Sequence, residues 1–131
     1  MTRQQDPLAD ASAGVVPVPL TVLRKRADFL RAARARHLSK PALVVQARQR
    51  APDEAPGIRV GFTCSKKVGN AVARNRAKRR LRAAARAVLP LEGRDGWDYV
   101  LIGRATHTAD RPFDALKRDL SHAVAQLHAR A

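Results

Sequence analysis

Residues 55–91 contain no aspartate or glutamate. Within them Lys66, Lys67, Arg74, Arg76, Lys78, Arg79, Arg80, Arg82 and Arg86 follow at short intervals. A solvated helix ordinarily interleaves charges of both signs, because opposite charges three or four residues apart attract and like charges repel. A one-signed run therefore carries a cost in the free chain that a bound polyanion would remove. Arginine suits phosphate because its planar guanidinium can donate two parallel hydrogen bonds and can also stack on a base. Asn75, set between Arg74 and Arg76, can donate and accept at a sugar or a base edge. Gly69, Asn70 and Ala71 stand at a loop-to-helix junction, where the free amides of a helix N-terminus favour a phosphate.

Other chemistry finds less support. Metal-dependent phosphodiester hydrolysis wants clustered carboxylates, and the basic run has none. Asp95, Asp98, Asp110, Asp114 and Asp119 lie in or beside C-terminal segments without ligand spacing. The histidines His37, His107, His122 and His128 form no acid–base pair by spacing, since His122 and His128 fall on different faces of a helix. Cys64, the single cysteine, sits on the apolar side of a strand pattern and reads as an inert core residue. Trp97 and Tyr99 read as packing residues.

The whole chain agrees with the basic run. Its 131 residues suit one domain, and 26 Lys and Arg against 11 Asp and Glu give a formal charge of +15. Such an imbalance points to a polyanionic partner, with nucleic acid ahead of an anionic membrane surface. A membrane-surface helix would want aromatic anchors that the alanine-rich run lacks. One cysteine allows no internal disulfide, and neither a signal peptide nor a membrane span is expected, so the expected location is the cytoplasm.

The elements that would position these residues follow from periodicity. Residues 1–20, with Pro7, Pro17 and Pro19, read as a flexible N-terminal tail, and 21–131 as the folded domain. Residues 25–36 are compatible with a helix bearing Phe29 and Ala33 on one face. Residues 42–48 read as a strand, 50–57 as a turn, and Ile58 to Ser65 as a second strand with Ile58, Val60, Phe62 and Cys64 on one side. The short Pro/Gly loop between them predicts an antiparallel pair. A long helix is expected from Ala71 to Leu89, stopped by Pro90. It docks by Ala73, Ala77, Leu81, Ala84 and Val88, and turns its basic residues outward. The apolar run of residues 97–103 predicts a strand buried on both faces. After a loop at 106–111, Phe113, Leu116, Leu120, Val124 and Leu127 form the apolar stripe of a last helix that Pro112 opens.

The contiguous segment RVGFTCSKKVGNAVARNRAKRRLR, residues 59–82, resembles the signature of the bacterial ribonuclease P protein subunit family. That signature has a strand, a Ser-Lys-Lys turn, a Gly-Asn-Ala-Val stretch, and Arg-Asn-Arg followed by further basic residues. Leu23 to Phe29, Asp98 to Ile102 and Phe113 to Leu120 resemble the family's first helix, later strand and closing helix. The resemblance implies an α+β fold: a single-domain α/β sandwich of the ribosomal protein S5 domain 2-like type, its basic helix a crossover of unusual left hand. It implies a subunit of a ribonucleoprotein endonuclease that removes the 5′ leader of precursor tRNA. The catalytic RNA subunit would hold the Mg2+, with one monomeric protein per RNA. Lys66, Lys67, Asn70, Arg74, Asn75, Arg76, Lys78, Arg79, Arg82 and Arg86 would contact RNA. Phe29, Thr63 and Ser65 would line a cleft for the leader. Many family members carry a second aromatic four residues after the first; here it is Ala33, which shifts leader binding toward charge. The alternatives are a structural RNA-binding protein of ribosomal type, which would leave precursor cleavage unchanged, and a DNA-binding protein.

Overall fold

The computed structural model describes residues 18–129. Its elements in chain order are β1 (Leu20–Val22), α1 (Arg26–Ala33), β2 (Arg36–Ser39), β3 (Leu43–Gln49), β4 (Ile58–Cys64), a 3-10 turn (Lys66–Val68), α2 (Ala71–Glu92), β5 (Trp97–Gly103), α3 (His107–Asp110) and α4 (Phe113–Ala129). The five strands form one mixed sheet in the order β1-β4-β5-β3-β2. β4 runs parallel to both β1 and β5, while β3 runs antiparallel to β5 and β2. Parallel neighbours need a crossover, and α2 supplies it between β4 and β5.

The core lies between one sheet face and the helices α2 and α4. Leu43, Val45, Ile58, Val60, Tyr99 and Leu101 from the sheet meet Leu81, Ala84, Ala85, Val88 and Leu89 of α2 and Leu116, Leu120, Val124 and Leu127 of α4. Each large side chain so buried contributes about 1.5–3 kcal/mol, and the alanines of α2 let that helix approach closely. Among the described residues, α1 is the only helix on the opposite sheet face. There Leu23, Ala32 and Val100 form a small second cluster, with Phe29 and Ile102 packed on it. No other described helix covers the rest of that face.

Several expectations are corrected. β3 and β4 do not pair, because β5 lies between them. The segment 50–57 is longer than a tight hairpin loop, and it can span the roughly 10 Å that separates strands two places apart. β5 is the strand that most needs two neighbours, since six of its seven residues are buried. Pro90 does not stop α2, which runs on to Glu92. In the last turn the missing proline N–H costs one bond. The turn is closed instead by the Gly93 N–H donating to the Leu89 carbonyl at 2.8 Å, and the Pro90 carbonyl accepts from the Val18 N–H at 3.0 Å. The first helix ends at Ala33, and β2 occupies the next segment. The expected tail lies outside the described residues up to position 17; Leu20 already opens β1. The expected loop at 106–111 holds the short α3. Phe113, placed in the core stripe by spacing, is 37% exposed.

Candidate nucleic-acid interface

The loop from Ser65 to Asn70 carries Lys66 and Lys67 outward on its 3-10 turn and delivers the chain into α2. Gly69 adopts φ 127°, a conformation that favours glycine. The Asn70 side-chain oxygen accepts from the Ala73 N–H at 3.0 Å, so this residue caps the helix. Its expected RNA contact is left to its amide nitrogen and backbone.

Along α2, Asn75, Arg76, Arg79, Arg82 and Arg86 are exposed, while Arg74, Lys78 and Arg80 are half-buried. They divide between two flanks of the buried stripe. Toward β4, the Arg82 guanidinium lies over the Phe62 ring at 5.5 Å, and the Arg74 carbonyl accepts from the Cys64 thiol at 3.7 Å. Burial pushes the Cys64 thiol pKa up, against smaller opposing effects of the Lys78 and Arg74 charges. The thiol is thus a packing group, as its strand position suggests. Toward α4, Arg76, Arg79, Arg80 and Arg86 line a groove that ends at Phe113. There Arg80 Nη2 donates to the Arg111 carbonyl.

Among the described residues, the basic side chains paired with acids are Arg31, Arg48, Arg50, Arg59, Arg111 and Lys117. None belongs to α2 or to the turn before it. Among the described residues the carboxylates that pair with cations all lie off this helix, and its basic side chains have no acid beside them. That arrangement is unfavourable for the free protein and favourable for a polyanion complex.

The open sheet face holds the other expected residues. Strand alternation puts Arg59, Gly61 and Thr63 on one side, and Thr63 stands beside Ile102 of β5. Ser65, just past β4, lines a depression of about 330 Å³ with Ser39, Val44, Lys67, Ile102 and Arg104. Phe29 lies one step away, half-buried on Gly61; a Cβ at position 61 would come within 2.5 Å of its Cε1. The ring is therefore part of the packing of α1 on β4 and does not line that depression. Thr63 and Ser65 lie on the same sheet face as the ring, and Lys67 lines the depression as well as standing on the basic loop.

One group was not anticipated. Asp98 is fully buried and accepts from Arg50 Nη1 at 2.6 Å, Arg59 Nε at 2.8 Å and Nη2 at 2.9 Å, and Arg48 Nη1 at 3.3 Å. Burial alone would raise its carboxyl pKa, but the hydrogen bonds from Arg59 and Arg50 outweigh burial and lower it. Arg59 also reaches Asp28 of α1 at 3.7 Å, so the cluster ties α1 to the sheet. The signal was an acid inside an otherwise apolar buried run, which demands partners. Among the described residues no three His, Cys, Asp or Glu side chains gather as metal ligands, and no helix is long and apolar enough to cross a membrane.

Comparison with known proteins adds an independent line. A family model described as Ribonuclease P matches residues 20–128. The chain is 66% identical over 119 residues to the ribonuclease P protein component of Ruegeria pomeroyi, covering 91% of each. It is 54% identical over 107 residues to that of Caulobacter vibrioides, covering 82% of this chain and 70% of the relative. The RNase P protein of Staphylococcus aureus matches with a TM-score of 0.62 at 26% identity, over 80% of this chain and 93% of that one. That of Thermotoga maritima matches with a TM-score of 0.62 at 26% identity, over 79% and 94%.

Proposed function

This chain belongs to the ribonuclease P protein family and is a protein component of that tRNA-processing ribonuclease, partnered with an RNA subunit. On that premise we propose that α2 and the turn before it bind the catalytic RNA subunit, while the open sheet face takes the single-stranded 5′ leader of precursor tRNA. The observation that carries the first half is the absence of ion pairs on α2 among the described residues. Lys66, Lys67, Arg74, Arg76, Lys78, Arg79, Arg82 and Arg86 are available to phosphate, with Asn70 and Asn75 beside them. The second half is supported by Phe29, Thr63 and Ser65 sharing one sheet face, where a half-buried ring offers an unpaired base something to stack on.

The cationic face of α2 does not fit a divalent metal ion. We place the magnesium with the RNA, one monomeric protein per RNA, in the cytoplasm. The protein's own contribution is electrostatic and positional. Its cations replace part of the counterion atmosphere that folded RNA requires, and the sheet face holds the leader in line with the cleavage site. Residues 21–131 form the RNA-binding unit in this reading, with the preceding tail outside it.

The test is precursor tRNA cleavage by the cognate RNA subunit at low magnesium, with and without the chain. Strong stimulation with a correct mature 5′ end is expected. A folded, RNA-binding sample that gives no stimulation would overturn the proposal in favour of a structural RNA-binding role.

A further inference from the structure

We propose that the groove between α2 and the first turn of α4 is a nucleotide pocket, in which an unpaired base of the RNA subunit stacks on Phe113 while adjoining phosphates lie on Arg76, Arg79 and Arg86. The proposal rests on α2 being the RNA-binding element and specifies what one flank of it takes.

Phe113 is the exception in its helix. Leu116, Leu120, Val124 and Leu127 continue the same apolar stripe and are 1% exposed or less, whereas Phe113 is 37% exposed. Packing does not account for an aromatic ring left outside the core it is spaced to join. The ring instead closes one end of an open groove of about 650 Å³, whose other lining residues are Arg76, Arg79, Arg80, Ala83 and Arg86. That volume is in the range of small-ligand sites, and Ala83 leaves the space between the arginines unfilled. Among the described residues, no acid lines the groove. The Lys117 ammonium lies 5.1 Å from the Phe113 centroid but does not line the groove, and it is itself engaged by Asp114 at 3.4 Å.

The wall opposite solvent is held firmly. Arg80 Nη2 donates to the Arg111 carbonyl, and Arg111 is fixed by a two-bond pair with Asp119 at 2.8 and 3.0 Å. Arg80 Nε is one of two buried side-chain N or O atoms without a hydrogen-bond partner among the described residues. The site thus joins a π face to uncompensated guanidinium groups, the pairing that suits a base and its flanking phosphates. The lining side chains include no carboxylate or amide to read a base edge, so any base fits. A paired base does not, because its faces are already stacked within the duplex.

The experiment measures binding of the full chain to the cognate RNA subunit and, at the same salt, to a fully paired RNA duplex. Phe113→Leu keeps apolar bulk but removes the aromatic face. It should weaken RNA-subunit binding on the order of tenfold or more, leave duplex binding unchanged, and leave the salt slope unchanged because no cation is removed. Phe113→Tyr should restore affinity. Unchanged RNA-subunit affinity in Phe113→Leu overturns the pocket, as does an equal loss on both RNAs accompanied by a lower melting temperature, the mark of a packing role. If Arg74→Ala with Arg76→Ala also leaves RNA-subunit binding unchanged, the underlying assignment of α2 fails as well, so the two failures are distinct.

Discussion

His128 is a buried imidazole held neutral by its surroundings. The Tyr99 hydroxyl accepts from the Arg94 N–H at 2.9 Å and shares a hydrogen bond of 2.6 Å with His128 Nε2; among the described residues the buried Nδ1 has no partner. Trp97 meets the ring edge-on at 4.4 Å. Burial pushes the His128 pKa down from 6.5 to about 4, with Arg94 and Arg36 adding to the depression. The unfolded chain therefore binds a proton that the folded chain excludes. Its contribution is complete above about pH 6.5 and is lost as the pH falls toward 4. Going from pH 7 to pH 5 should remove about 2 kcal/mol of stability, read as a drop in the urea midpoint. His128→Gln keeps an acceptor for Tyr99 but cannot titrate, and its midpoint should fall much less over that window; equal slopes would place the titration elsewhere. The sequence offered His128 only as one of four histidines without a pair. Its role depends on residues 29 and 34 positions away, which local spacing does not reveal. The same holds for Arg50, whose guanidinium bonds to Asp98 and to the Ala55, Gly57 and Trp97 carbonyls, fixing the loop after β3.

At the scale of elements, α1 is seated on the sheet by an absence. Gly61 has no Cβ, so the Phe29 ring can lie close against β4. Gly61→Ala would put a methyl 2.5 Å from Phe29 Cε1, 2.6 Å from Cζ and 3.3 Å from Leu23 Cβ. The expected loss is about 1–3 kcal/mol of stability, together with a larger loss of affinity for leader-bearing precursor tRNA than for mature tRNA. Adding Phe29→Ala should relieve the clash, so the two losses should not sum in a double-mutant cycle. Additive losses would show that the ring is not what the new methyl meets. The helices α2 and α4 were legible because their stripes repeat at three and four residues over many turns, and β4 and β5 because their patterns are clean. β1 and β2 were not. They are three and four residues long, too short for a period, and each is made a strand by one neighbour alone. Pro90 misled for a related reason: its cost depends on how near the helix end it falls, which is fixed by the Gly93 closure and by Val18.

For the molecule as a whole, charge is segregated. Among the described residues the acids that hold cations lie off α2, on α1, the sheet, the loop after β3 and α4, and the cations of α2 are left without a carboxylate. Arg74→Ala with Arg76→Ala should accordingly weaken binding to the RNA subunit and flatten its dependence on salt, by about one unit of log–log slope for each phosphate no longer neutralised. Unchanged affinity and slope would take these residues out of the interface. The basic run made this surface readable from sequence, since it needs no knowledge of which strands adjoin. Strand order did need that knowledge, and the insertion of β5 between β3 and β4 was missed. That insertion also has a temporal side. The centre of the sheet is the last strand to leave the ribosome, so β3 and β4 must wait, each with an unpaired edge, until α2 and β5 have been made. Most sheet pairing then closes over long stretches of chain, which slows folding and exposes strand edges meanwhile. A chain truncated before Trp97 would hold two strand pairs with nothing to join them, and a strongly cationic segment in search of an anion.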